Sequence, residues 1–138
     1  MPRSAHGSTS HGVTAGLLAL AAMAGGAAKA SETSPLGVWA RGDGRALVRI
    51  APCEGGLCAT NLWIKPGTPD EKTGDKLLLS VSPSGPTTWT GDAFDPQRRA
   101  HFKIEIEAQD KDMTTRGCLL AGLLCKDVHW TRAPNVAN

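Results

Sequence analysis

Apolar and polar residues alternate along most of the chain after residue 30, which is the pattern of half-buried β-strands. The clearest run is 101–108, where Phe102, Ile104, Ile106 and Ala108 share one face and polar residues share the other. Turn residues such as Asp43-Gly44 separate these runs, and no helical stripe interrupts them. The predicted strands are residues 36–41, 45–52, 59–65, 76–82, 87–94, 101–108, 113–119 and 126–133.

Eight consecutive strands with short connections form a meander. A flat meander would expose two edges and one apolar face, and closure of the sheet removes both problems. We therefore predict an all-β fold, a small antiparallel up-and-down β-barrel of about eight strands; a two-sheet sandwich is the alternative. Such a barrel is either filled by its own side chains or holds one small ligand. The longest polar loop, 66–75, could gate its mouth.

The first thirty residues have the features of a cleaved signal peptide. Arg3 gives a basic start, residues 13–28 are uncharged and rich in Ala, Gly and Leu, and Ala28-Lys29-Ala30 is a small-residue exit. A membrane anchor is the alternative, but a spanning helix needs about 20 strongly apolar residues. We expect one mature domain, residues 31–138 with a core of about 35–133, located in a periplasm or outside the cell.

Charge then excludes one class of partner. The whole chain has a formal charge of +2 from 15 basic and 13 acidic residues. Two of the basic residues, Arg3 and Lys29, lie in the predicted signal peptide, so the mature domain is neutral. A neutral domain without a basic run is a poor nucleic-acid binder.

The four cysteines favour disulfides, because an even number in an exported domain is typical of a bonded framework. Three pairings are possible, and loop entropy favours the two short ones, Cys53–Cys58 and Cys118–Cys125. A zinc site made by all four is the alternative, but their spacings are not the usual zinc hooks.

The four tryptophans dominate the aromatic residues. We expect Trp39 to be structural and Trp63, Trp89 and Trp130 to be candidates for lining a pocket, with packing in the core as the alternative. Short motifs for catalysis, phosphate binding or metal binding are not present in the sequence, so we expect no enzyme, no cofactor and no metal site.

Charged side chains outside such motifs have ordinary explanations. Glu105 and Glu107, like His101 and His129, alternate with apolar neighbours and are expected at the surface. The arginines at 41, 45, 49, 98 and 99 could grip an anionic group, but a solvated outer face paired with acids is favoured.

Several landmarks resemble a bacterial family known only as domain of unknown function 2147. They occur in order over nearly the whole mature chain: Gly37-Val38-Trp39, Arg41-Gly42-Asp43-Gly44, Val48 to Cys53, Leu57-Cys58, Leu62 to Lys65, Trp89-Thr90-Gly91, Phe94-Asp95-Pro96, Arg116-Gly117-Cys118, Leu124-Cys125 and Trp130-Thr131-Arg132. The resemblance implies an exported protein without an assigned activity. The chain departs from the family in 70–75, which lacks an Asn-Pro after the Asp.

A looser resemblance is to lipocalins, which carry Gly-x-Trp on the first strand and a late Arg packed over that Trp. Gly37, Trp39 and Arg132 occupy similar places, with Arg116 as a second candidate for the arginine. A guanidinium over an indole is a favourable cation–π pair. The leading hypothesis is non-covalent binding of a small apolar or amphipathic ligand. The alternative is a filled barrel acting as an envelope structural or protein-interaction module.

Overall fold

The computed structural model describes residues 33–134 together with Gly7, Gly12 and Gly16. The predicted signal peptide therefore lies outside the described residues, three isolated glycines aside. The described chain forms eight strands and one 3-10 turn: β1 (Gly37–Arg41), β2 (Ala46–Cys53), β3 (Gly56–Ile64), β4 (Lys76–Pro83), β5 (Thr88–Asp95), β6 (Ala100–Ala108), β7 (Asp112–Leu119), η1 (Leu120–Gly122) and β8 (Leu124–Arg132). None of the described residues belongs to a helix long and apolar enough to cross a membrane.

Each strand pairs antiparallel with the next, and β8 returns to pair with β1, so the sheet is a closed barrel. The seam between β8 and β1 is short, since it pairs Trp39 with Arg132, Ala40 with Thr131 and Arg41 with Trp130. The predicted all-β, eight-stranded up-and-down barrel is confirmed. The largest boundary difference is at β3, which begins three residues early because Glu54-Gly55 alone make the turn.

The alternation read from the sequence separates the inside of the barrel from the outside. Ile104, Ile106 and Ala108 on β6 are buried, and so are Ala46 and Val48 on β2. Their polar neighbours face solvent, as the period of two requires. The core is therefore a single cluster inside the barrel.

The connections divide the barrel into two ends. The open end carries the turns β1–β2, β3–β4, β5–β6 and β7–β8, and the closed end carries the other three turns and residues 33–36. At the closed end the indole Nε1 of Trp39 donates a hydrogen bond to the carbonyl oxygen of Pro35 at 2.8 Å. The Thr33 hydroxyl donates to the carbonyl of Pro86 at 3.3 Å. These contacts tie the incoming segment across the closed end.

Arg132 fastens the same end. Its guanidinium carbon lies 4.1 Å from the centre of the Trp39 ring, and its nitrogens donate to the carbonyls of Asp110, Leu36 and Ser34 at 2.6, 2.7 and 3.0 Å. Gly37 makes room for it, because a Cβ there would lie 2.7 Å from an Arg132 nitrogen and its φ is +124°. Of the two candidate arginines, Arg132 is the one over Trp39.

Two disulfides join the predicted pairs, Cys53–Cys58 and Cys118–Cys125, and none of the four cysteines is free. Cys118 and Cys125 face each other directly across β7 and β8. Cys53 instead faces Gly56, and Cys58 faces Ala51, so the first bridge is diagonal. The first braces a turn at the closed end and the second braces a turn at the open end. Both are consistent with an exported protein.

Candidate ligand-binding cavity

The barrel is not filled by its side chains. A cavity of about 670 Å³, the chamber, occupies the interior from its middle to the open end. Its wall is mostly apolar and comes from all eight strands, with inward residues such as Val48, Ile50, Ala59, Leu77, Leu79, Phe102, Ile104, Ile106, Met113 and Val128. Consecutive inward positions of each strand supply this wall, so the alternation that builds the core also builds the chamber.

Charged side chains ring the mouth of the chamber. A second cavity of about 750 Å³, the vestibule, lies outside the mouth and is bounded by polar residues of the β1–β2 turn, the β3–β4 loop and β8. The chamber and the vestibule share Arg41, Glu71, Arg98, Lys126 and Val128 in their walls. An apolar space therefore opens directly into a charged one.

Arg41 and Glu71 form the central ion pair of the mouth. Two Arg41 nitrogens donate to the two Glu71 oxygens at 2.6 and 2.9 Å, and Arg41 Nε donates to Asp43 at 3.0 Å. These hydrogen bonds raise the pKa of Arg41 and hold the pKa of Glu71 below its usual value. The pair fixes the β3–β4 loop against the barrel wall.

The position of Arg41 corrects the prediction of a solvated outer face for this arginine. Arg41 lies on the inward side of β1, directly opposite Trp130, and only 14% of its side chain is exposed. It is paired with acids as expected, but at the mouth of the chamber. Arginine tolerates this position because a bidentate carboxylate satisfies its fixed donors.

Asp95 organises a second side of the mouth. This buried carboxylate accepts hydrogen bonds from Arg98 at 2.6 Å and from the Gln97 side chain at 2.7 Å. Burial raises the pKa of Asp95, but the hydrogen bonds from Arg98 and Gln97 outweigh it and keep the pKa below its usual value. Arg98 also donates to the carbonyl of Asp70. The β5–β6 turn is thereby linked to the β3–β4 loop.

Lys126 differs from the arginines of the mouth. It lines both the chamber and the vestibule, and no carboxylate of the described chain lies within ion-pair distance of it. Its ammonium group is therefore the basic group of the shared wall that has no acidic partner among the described residues. This group would attract a negatively charged group that enters the mouth.

The structure separates the three candidate tryptophans. Trp130 lines the chamber, and its indole Nε1 donates to Thr115 at 3.0 Å. Trp89 faces inward opposite Ile106 and packs against the core, but it does not line the chamber. Trp63 is 43% exposed on the outer surface.

A β-bulge explains Trp63 and corrects the prediction that it lines a pocket. Asn61 faces inward opposite Val48, and strict alternation would place Trp63 inward too. The register shifts at this point, so Leu62 is an extra residue and Trp63 pairs with outward-facing Leu47. One extra residue in a strand moves every later side chain of that strand to the opposite face of the sheet.

Sequence reasoning missed the tip of the β7–β8 hairpin. Leu119, Leu120, Leu123 and Leu124 are 47%, 67%, 83% and 58% exposed, and the first and last of them also line the chamber. Two Leu-Leu pairs around the Ala-Gly of a turn, bracketed by cysteines, were a visible signal. Turns usually carry polar residues, so an apolar turn is unusual.

The other polar candidates lie away from the chamber. His101, Glu105 and Glu107 are exposed on β6, and His129 is exposed on β8, where it borders the vestibule only. The described residues contain no group of three or more His, Cys, Asp or Glu placed to hold a metal ion.

Comparison with known proteins gives one result. Residues 37–132 match the model of a family described as "uncharacterized protein conserved in bacteria (DUF2147)". The match covers the barrel from the first residue of β1 to the last of β8, and the chain belongs to this family. No curated protein and no solved structure matches the chain significantly.

Proposed function

We propose that this family member is an exported binding protein that holds a small amphipathic molecule non-covalently. The apolar part of the ligand occupies the chamber, and its polar head lies in the vestibule. The observation that carries this proposal is the apolar cavity of about 670 Å³ that opens into a charged one. Ligand sites are typically clefts of roughly 300–1,000 Å³ with mostly apolar walls and a few polar groups.

The proposal is one of binding without turnover. A catalytic site would need titratable groups converging on the reacting atoms. The carboxylates at the mouth, Glu71 and Asp95, are instead each held by an arginine, which keeps them ionised and occupied. Ion pairs of this kind fix the geometry of the mouth. A general acid or base instead needs a pKa that is shifted close to the working pH.

The polar head favoured by the mouth is anionic. Lys126 supplies a positive charge that no described carboxylate neutralises, and the next cations of the shared wall, Arg41 and Arg98, already have acidic partners. Fatty acids combine an apolar chain with a carboxylate, so they are the first class to test.

The test measures binding of a fluorescent fatty-acid analogue to the oxidised domain, wild type and variants. Ala59→Trp places a large side chain in the chamber, whereas Thr60→Trp places the same side chain on the outer face of the same strand. We expect Ala59→Trp to weaken binding at least about tenfold, equivalent to 1.4 kcal/mol, and Thr60→Trp to bind as the wild type does. Equal binding by both variants, or no binding by the wild type, would overturn the proposal.

A further inference from the structure

The tip of the β7–β8 hairpin, residues 119–124, is the most apolar exposed surface of the described chain. Four of its six residues are leucines, and the two farthest from the strands, Leu120 and Leu123, are 67% and 83% exposed. Each of the remaining exposed large hydrophobic residues, Leu36, Trp63 and Leu78, is no more than 43% exposed. A contiguous apolar patch on a small domain marks an interaction surface.

The tip is held in shape before it meets a partner. The Cys118–Cys125 disulfide closes its base, and the amide of Leu123 donates to the carbonyl of Leu120 at 3.2 Å. Leu120 and Ala121 adopt φ values of +51° and +55°, which non-glycine residues rarely take. A rigid turn that presents leucines to solvent loses little conformational freedom on binding.

Charge around the tip favours an anionic partner. Residues 113–126, which run from the second residue of β7 through the tip to the third residue of β8, include Arg116 and Lys126 and no acidic residue, and Asp112 and Asp127 flank them. Arg116 is paired with Asp127, but Lys126 follows the tip directly and has no acidic partner in the described part of the chain. The tip also touches β6, and the turn before this strand holds Arg99 beside Arg98, which is paired with Asp95.

We infer that this hairpin tip docks the protein on a lipid bilayer rich in anionic headgroups. Leu120 and Leu123 enter the boundary between headgroups and acyl chains, and Lys126 remains among the headgroups. A short apolar insertion together with a nearby basic group is the combination by which peripheral proteins attach to membranes. Docking of this kind does not require a ligand in the chamber.

The placement of the tip also orients the docked protein. Leu119 and Leu124 line the chamber while Leu120 and Leu123 do not, so one hairpin has a chamber-facing base and a solvent-facing apex. Insertion of the apex brings the mouth of the chamber to the lipid surface. If both proposals hold, an amphipathic ligand can pass between bilayer and chamber without crossing water.

The test uses the oxidised domain and vesicles of phosphatidylcholine, with and without phosphatidylglycerol, in a sedimentation assay. The double variant Leu120→Ser/Leu123→Ser removes the apex without touching the chamber wall. The matched control, Leu36→Ser/Leu78→Ser, makes the same change at two leucines that are 38% and 39% exposed elsewhere. We expect the wild type and the control to bind anionic vesicles, and the apex variant to bind at least about tenfold less.

Binding should be weaker on vesicles without phosphatidylglycerol and should fall with added salt, because part of the attraction is electrostatic. The competing partner for the hairpin tip is a second copy of the chain. Sedimentation equilibrium of the wild type, the control and the apex variant tests for this dimer. Vesicle binding that survives in the apex variant, or a wild type that binds neither vesicle, would contradict membrane docking. So would a wild-type dimer that the apex variant converts to a monomer with no vesicle binding in either.

Discussion

The closed and open ends of the barrel are made by the same eight strands, yet they use polar groups in opposite ways. At the closed end, the Trp39 indole and the Arg132 guanidinium donate to backbone carbonyls of the segments that cross it. At the open end, Arg41 pairs with Glu71 and Arg98 pairs with Asp95 around the mouth of a cavity. The hydrogen bonds at the closed end hold backbone segments together, whereas the ion pairs at the open end surround the mouth of a cavity.

This difference separates the packed part of the barrel from the proposed binding site along the barrel axis. Side chains fill the closed end, and Trp39 is fully buried there. At the open end the same inward alternation continues, but the side chains leave a chamber of about 670 Å³. Substitutions at the closed end should therefore change the free energy of unfolding, and those at the open end should mainly change the ligand binding that we propose.

The largest effect should come from Trp39→Ala. Removal of a fully buried indole leaves a cavity and two broken contacts, with Pro35 and Arg132, and should lower the free energy of unfolding by about 4 kcal/mol. Trp63→Ala is the matched control, because Trp63 is 43% exposed on the outer face, and its cost should be about 1 kcal/mol or less. Urea unfolding of both variants measures the difference. Similar losses of unfolding free energy in the two variants would show that burial inside the barrel does not decide the cost.

A smaller effect is expected for Arg132→Leu, at about 2 kcal/mol. The change removes the cation–π contact and hydrogen bonds to three carbonyls, which water can only partly replace. Arg116→Leu is the control at the open end, since its guanidinium forms only an exposed pair with Asp127, and should leave the unfolding midpoint unchanged. If Arg116→Leu were as destabilising as Arg132→Leu, the fastening would not be specific to the closed end.

The smallest effect concerns the pH dependence of the Arg41–Glu71 pair. Because Arg41 lowers the folded pKa of Glu71 below its ordinary 4.5, the pair stabilises the fold fully above pH 4.5 and loses this contribution as the pH falls through the folded value. The stability difference between wild type and Glu71→Gln should be below about 1 kcal/mol. It should shrink at low pH.

Unfolding curves from about pH 3 to about pH 7, a range that spans the usual glutamate pKa of about 4.3, measure this difference. Glu54→Gln serves as the control, because Glu54 lies in the β2–β3 turn at the closed end and forms no ion pair within the described chain. A wild-type advantage over Glu71→Gln that stays constant down to the lowest pH would show that the pair does not act through ionisation.

The closed end was largely predictable from the sequence. Period-two alternation identified all eight strands, and the Gly37, Trp39 and Arg132 landmarks identified the fastening. The predictions for the closed end succeeded because the pleat of each strand alone decides which of its residues point inward. The family membership inferred from short landmarks was confirmed as well.

The open end was less predictable because its features depend on register and on distant pairs. The bulge at Leu62 turned Trp63 outward, and a single sequence gives no period signal for one extra residue. The inward position of Arg41 depends on Glu71, which is 30 residues away. The leucine tip was not predicted for a different reason, since Leu120, Leu123 and Leu124 lie in a predicted turn, where polar residues are usual.

The short seam between β1 and β8 has a consequence for how the chain folds. Every other strand pair joins neighbours in sequence, but the Arg132 bond to Leu36 spans 96 residues. Such long-range closure is entropically costly and slow compared with hairpin formation. Until it occurs, β1 and β8 are open edges that can pair with another molecule. Each disulfide lies within a single hairpin, so disulfide formation does not bring β1 and β8 together. Their edges stay exposed until Arg132 reaches Leu36 and β8 pairs with β1.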